Sequence, residues 1–343
     1  MWHDAPIGGP SPMAPRGPDR TACRPVLLDL VLIAIGLGLL TYAADQFVMG
    51  AARLAVVLSV APVVIGAVVV GFGTSAPELL VSALAAGRGD VELSVGNVVG
   101  SNSANLTLIL GVAALITVIR IDAGILKREL PLTAAGTVVF AYAVQDGITT
   151  AEGVVLLALL AVALLVIIRA DRTDDAPGEQ ELAAEVVEFL DADEPPAPGR
   201  EALRTLLGLL GTLAGAQAMV TGATGVADEL GLAEGFIGLT LVAVGTSLPE
   251  LVTSVAAARK GEDELIVGNL LGSNLFNSLA VGGVIGLVGP GTIDDPDLTG
   301  FAVGIMLAVL ALAAFAMITS NRVVRWEAIA LLALYAVTVP MLA

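Results

Sequence analysis

Residues 73–105 recur at 245–277 without a gap, and 19 of the 33 aligned positions are identical. Chance in so biased a composition gives about three or four, so the chain carries an internal repeat and must fold as two like halves. At the head of each copy stands Gly73-Thr74-Ser75-Ala76-Pro77-Glu78 or Gly245-Thr246-Ser247-Leu248-Pro249-Glu250. The two glutamates are 172 residues apart, and at that offset Asn97, Ser101 and Asn105 match Asn269, Ser273 and Asn277.

Each copy sets a carboxylate inside an apolar run. The chain is 56% hydrophobic and 14% charged, with a mean hydropathy of +0.90, whereas soluble domains carry about 25% charged residues. Apolar runs of about 20 residues match the length a helix needs to cross the hydrocarbon core. Period-2 alternation is absent, so the fold class is an all-α polytopic membrane protein in the lipid bilayer rather than a barrel.

Composition also excludes several functions. The formal charge of −17 comes with no basic patch, so no nucleic-acid partner is indicated. Cys23 and His3 are the sole residues of their types and both lie in the N-terminal tail. Cys/His metal sites and Ser-His or Cys-His catalysis are therefore excluded, and no nucleophile–base pair accompanies the carboxylates. The chain reads as a non-enzyme with no cofactor and no evident obligate protein partner.

Four segments follow in order: 1–25, a proline-rich tail expected to be disordered; 26–170, the first five-helix repeat; 171–200, an acidic linker; and 201–343, the second five-helix repeat. Ten spans are expected, near 26–49, 58–86, 91–118, 129–145, 150–169, 202–227, 236–258, 264–289, 299–319 and 323–342. The second and seventh are broken at the Gly-Thr-Ser-x-Pro-Glu motif. Five spans is an odd number, so the repeats enter the membrane from opposite sides and form an inverted pair.

With both termini outside, the cytoplasmic connections hold 12 of the 16 basic residues, as the positive-inside rule requires. The linker, with ten acidic residues between Asp171 and Glu194, is then cytoplasmic. It lacks the EF-hand pattern and reads as a solvated connection, with Leu182, Val186 and Leu190 spaced for a short surface helix.

Pro77 and Pro249 cannot donate a backbone hydrogen bond, which frees carbonyls four residues back, at Gly73 and Gly245. Irregular backbone at membrane depth is tolerated where it is buried or lines a cavity, and there it can ligate a cation. Thr74, Ser75, Thr246 and Ser247 add hydroxyls. Asn97, Ser101 and Asn105 recur every four residues on one helix face, as do Asn269, Ser273 and Asn277. Gly96, Gly100, Gly268 and Gly272 form small-residue surfaces for close helix approach. An intramembrane carboxylate costs a few kcal/mol unless compensated, and neither repeat core holds a basic residue to pair with Glu78 or Glu250. A transported hard cation supplies the counter-charge, and an all-oxygen donor set suits Ca²⁺ or Na⁺. Alone, Thr-Ser-Pro reads as a kink and Gly-xxx-Gly as packing; duplication of the whole set at one offset favours a cation pathway. Glu92 and Glu264 read as interfacial helix caps.

Gly-Thr-Ser-x-Pro-Glu, twice followed by Gly-Asn-x-x-Gly-Ser-Asn, resembles the sodium/calcium exchanger family of the calcium/cation antiporter superfamily, in its prokaryotic type. The resemblance covers nearly the whole chain outside the tail and linker. It implies alternating access, with the first and sixth helices sliding across the rest, and Ca²⁺ extrusion driven by the Na⁺ gradient. It also implies Glu78 and Glu250 as central ligands, with Thr74, Ser75, Ser101, Thr246, Ser247 and Ser273 as Na⁺/Ca²⁺ ligands. Gly71 and Ala243 are implied as carbonyl donors, and Asn105 and Asn277 flank the site. Some relatives, potassium-dependent ones included, carry Asp at position 277, so Asn here speaks against K⁺ co-transport. The alternatives are an H⁺/Ca²⁺ antiporter, against which the duplicated Thr and Ser argue, and a cation channel, against which the lack of a run of filter carbonyls argues.

Overall fold

The computed structural model describes residues 26–57, 74–121, 123–171 and 197–341. The tail 1–25, the first half of the expected second span with Gly71 and Gly73, and linker residues 172–196 with their expected surface helix lie outside the described residues.

The described chain is helical almost throughout. The first half holds α1 (Val26–Val57), α2 (Ala76–Gly87), α3 (Val91–Ile116), α4 (Glu129–Ala143) and α5 (Thr150–Asp171). The second holds α6 (Pro198–Leu230), α7 (Glu234–Thr246), α8 (Leu248–Lys260), α9 (Asp263–Val288), α10 (Asp297–Ser320) and α11 (Arg325–Met341). Among the described residues six helices are long and apolar enough to cross a membrane, and α7 with α8 makes a seventh, broken span bent by 43°. Two ends differ from expectation. α1 runs on to Val57, past residue 49. α6 starts at Pro198, inside the expected linker, because proline is pre-set for the first helical turn and has no N–H to leave unpaired.

Burial sorts the helices into a centre and a rim. In α3 and α9, 72% and 78% of the most apolar stretch is buried, against 28% in α1 and 17% in α5. A helix apolar on all sides but mostly uncovered is one whose outer face meets lipid. α3 and α9 are therefore the paired central helices, and they are the ones that carry the asparagines.

The two halves repeat each other in detail. A left-handed glycine follows each of α2 and α8 at positions 172 residues apart, Gly89 (φ 94°) and Gly261 (φ 78°), a conformation other residues adopt only with strain. A π-helical turn begins at Asn105 in α3 and at Asn277 in α9. The halves also interlock. The segment after α3 pairs with the segment before α11 as strands β1 (Ile119–Arg120) and β2 (Arg322–Val323), antiparallel with Ile119 opposite Val323. The corresponding segment after α9 meets the one before α5 through the Ile148–Gly291 bridge.

Glu92 lies in the first turn of α3, where an interfacial cap is expected, and it also serves this interlock, as does Asp263, the neighbour of Glu264. Glu92 Oε1 accepts the N–H groups of Asp294 (2.9 Å) and Asp295 (3.0 Å), and Asp263 Oδ2 accepts that of Arg120 (3.1 Å). Each carboxylate anchors a loop of the other repeat, and neither α3 nor the start of α9 has a side-chain cap.

Glycines set the close contacts. α1 and α6 lie along each other through Gly36, Gly50, Gly208, Gly215 and Gly222, where an added Cβ meets the facing backbone. Glu201 of α6 is fully buried between Arg53 (3.7 Å), Arg200 (3.6 Å) and Arg204 (3.9 Å). Gly96 and Gly100 let α3 approach α7, and a Cβ on Gly100 runs into the Leu239 carbonyl and the Ala243 side chain. Gly100→Val is expected to destabilise the protein by about 1–3 kcal/mol through overpacking. Thermal unfolding in detergent should show a lowered midpoint; an unchanged one contradicts this packing.

Candidate cation site

Both glutamates sit in the first turn of a helix that starts inside the protein. Ser75 (φ −90°, ψ 6°) and Ser247 (φ −84°, ψ 9°) have nearly the same conformation and precede α2 and α8, whose first turns contain Pro77 and Pro249. Proline here opens a new helix rather than kinking an old one. The serine carbonyls accept the N–H groups of Leu79 and Leu251, both at 3.1 Å. Glu78 and Glu250 therefore project from the first turn, where the positive end of the helix dipole favours negative charge.

The motifs meet across the repeats. Ser247 Oγ donates to Glu78 Oε1 (3.0 Å), and Ser75 Oγ to Glu250 Oε1 (3.5 Å). Thr246 Oγ1 donates to Asn97 Oδ1 (3.2 Å), and Thr74 Oγ1 to Asn269 Oδ1 (3.3 Å), with Ser273 Oγ 3.2 Å from Thr74 Oγ1. The serine–glutamate and threonine–asparagine bonds each have a mate at the repeat offset, whereas the Thr74–Ser273 contact has none, its counterpart Ser101 Oγ being without a partner among the described residues. All of these groups are buried except Thr74, which is half-buried.

Several atoms are left over. Glu78 Oε2, Glu250 Oε2, Ser101 Oγ, Asn105 Oδ1 and both amide atoms of Asn277 are buried without a hydrogen-bond partner among the described residues. A buried acceptor with no donor costs about 1–3 kcal/mol, more when charged. Most of these orphaned atoms are oxygens, contributed by both halves, and oxygen donors suit a hard cation.

The structure pairs Glu78 with Ser247 and Glu250 with Ser75 across the repeats, and Thr246 and Thr74 with Asn97 and Asn269, with Ser273 beside Thr74. Ser101, Asn105 and Asn277 lie on the central helices that pack beside it. Gly71 is outside the described residues. The Ala243 carbonyl accepts the Ser247 N–H (3.1 Å) and the Thr246 hydroxyl (3.3 Å).

Three asparagines take roles that the repeat pattern did not assign, Asn97 among them although it was placed on the polar face. Asn97 bridges the motif helices, donating to Ser82 Oγ (2.9 Å) while accepting from Thr246. Asn102 and Asn274, identical at the repeat offset, join the central helices: Asn105 Nδ2 donates to Asn274 Oδ1 (2.9 Å), and Asn274 Nδ2 to the Asn102 carbonyl (3.1 Å). Their signal was present in the Gly-Ser-Asn triplets, but they fall off the four-residue spacing of the other polar groups.

Comparison with known proteins gives the same family from three sides. The family described as sodium/calcium exchanger protein matches twice, over residues 28–169 and 201–342. A protein of Alkalimonas amylolytica described as a candidate antiporter, CaxA, is 39% identical over 84% of this chain and 89% of its own. The sodium/calcium exchanger MaX1 of Methanosarcina acetivorans is 30% identical over 90% of this chain and 97% of its own. Among solved structures, the sodium-calcium exchanger NCX_Mj is 31% identical, with a TM-score of 0.62 over 93% of this chain and 100% of its own.

Proposed function

The chain belongs to the sodium/calcium exchanger family, and on that premise we propose that it is a secondary active antiporter exchanging Na⁺ for Ca²⁺ by alternating access, expelling Ca²⁺ at the expense of the inward Na⁺ gradient. As a member of the family it is a multi-pass membrane protein and a cation antiporter rather than an enzyme. The observation that carries the proposal is the pair of buried glutamates from opposite repeats, each held by the other repeat's serine through one oxygen while the other oxygen has no described partner.

Two carboxylates balance one Ca²⁺. The same cluster offers hydroxyls and amide oxygens that suit Na⁺, so the two ions compete for overlapping positions. The proposed ligands are Glu78 and Glu250, with Thr74, Ser75, Ser101, Asn105, Thr246, Ser247, Ser273 and Asn277; Gly71 and Ala243 supply carbonyls, the latter once its present donors turn away. Na⁺ and Ca²⁺ are the substrates, and no cofactor or protein partner is needed.

Ten spans in two inverted repeats accommodate this site. Beyond the seven spans already counted, α2 (with the residues before it), α4 and α11 supply three more. The odd number per repeat lets the two motif helices approach from opposite sides. Both termini lie outside and 171–200 is cytoplasmic, as the distribution of basic residues favours.

Proteoliposomes loaded with Na⁺ and diluted into Na⁺-free medium are expected to take up ⁴⁵Ca²⁺, with no uptake when the Na⁺ gradient is absent. Uptake that ignores Na⁺ and follows an imposed pH gradient assigns the protein to H⁺/Ca²⁺ exchange instead.

A further inference from the structure

The two-fold pairing that relates the motif helices breaks down between the central helices. Between the repeats, Asn105 Nδ2 donates to Asn274 Oδ1 and Asn274 Nδ2 to the carbonyl of Asn102. At the repeat offset the mates of these bonds run from Asn277 to Asn102 and from Asn102 to the carbonyl of Asn274. Neither is made. Asn102 Nδ2 turns to Ser278 Oγ (2.9 Å) and to Met306 Sδ (3.7 Å), and Ser278 Oγ lies 3.2 Å from Thr137 Oγ1. Ser278 begins the asymmetry, because its offset mate is Leu106, which has no hydroxyl to offer Asn274.

The consequence can be followed atom by atom. A backbone carbonyl only accepts, so the Asn274 group facing Asn102 must be its NH₂, and Asn274 is left with its oxygen for Asn105. Asn105 must then present its NH₂ to Asn274, which fixes Oδ1, a buried atom without a described partner, as the free end. Asn277 has no such tie: both of its amide atoms are buried and unpartnered among the described residues.

We propose that Asn274 is a positioning residue that locks the Asn105 carboxamide oxygen-outward for the cation, and that Ser278, by drawing Asn102 away, leaves Asn277 free to turn. The two halves of the site are then unequal, one amide a fixed oxygen donor and the other an adaptable one. Flipping Asn105 would present an NH₂ to a cation. This inference rests on the exchange reading of the same site.

Two double-mutant cycles, read as the dissociation constant for ⁴⁵Ca²⁺ on the purified full chain, test it. Asn274→Ala is expected to weaken binding about tenfold in the parent and less than about twofold in an Asn105→Ala background. Asn102→Ala keeps its backbone carbonyl, and its effect is expected to multiply independently with that of Asn277→Ala. If Asn274→Ala does not fold, Asn274→Leu, of similar volume, takes its place. The proposal is overturned by an Asn274 effect of the same size in both backgrounds, by Asn105→Ala binding Ca²⁺ as the parent does, or by equal coupling in both cycles. Failure of the exchange reading shows separately, as absence of Na⁺-driven uptake by the parent.

Discussion

Replacing either Glu78 or Glu250 by alanine is expected to abolish Ca²⁺ transport, with residual uptake at least about 100-fold below the parent, which corresponds to about 2.7 kcal/mol. Unit charges 4 Å apart at an effective dielectric of about 20 interact by about 4 kcal/mol, and a divalent ion doubles that attraction before desolvation is counted. Both carboxylates are fully buried and have an oxygen without a described partner. Removing one leaves a doubly charged ion facing a single negative charge. Because the glutamates are related by the repeat, the two variants should fail alike; normal flux in either, measured as ⁴⁵Ca²⁺ uptake, shows that its carboxylate is not a ligand.

Ser247→Ala carries the second largest expected effect. Its hydroxyl is buried and donates at 3.0 Å to Glu78, and a hydrogen bond to a charged group contributes about 1.5–3 kcal/mol, or roughly 10- to 150-fold in affinity. The variant is expected to raise the half-saturating Na⁺ and Ca²⁺ concentrations by at least about tenfold while the protein still folds. Its mate Ser75 donates to Glu250 at 3.5 Å, the weak limit of a hydrogen bond, so Ser75→Ala should shift them less. Equal shifts would mean that the serines act as ion ligands alone and not through the carboxylates.

Much of this was legible because the repeat doubles every signal. Glu78 and Glu250, and the threonines and serines before them, are adjacent in sequence, so their clustering needs only a restarted helix and an inverted partner. What escaped depends on which side chain meets which across 149 residues in one case and 176 in another. Asn97 reaching Thr246, and Asn102 choosing Ser278 over Asn277, are packing outcomes that periodicity on one helix does not contain. Glu92 begins a helix, which the sequence shows, and it also holds a loop of the other repeat, which the sequence does not, since interlocking loops expose N–H groups that need acceptors. Asp29 and Glu201 are also mates at the repeat offset, both fully buried in the α1–α6 pair. They stayed hidden because a charged residue near a helix end ordinarily faces solvent.

The central claim is that two glutamates, one from each repeat, make a single cation site shared by Ca²⁺ and Na⁺. Equilibrium binding of ⁴⁵Ca²⁺ to the purified chain tests it most directly. The account predicts one Ca²⁺ per chain, displaced by Na⁺ and lost in both Glu78→Ala and Glu250→Ala. Two Ca²⁺ per chain, each lost with a different glutamate, or binding that Na⁺ does not displace, would contradict it.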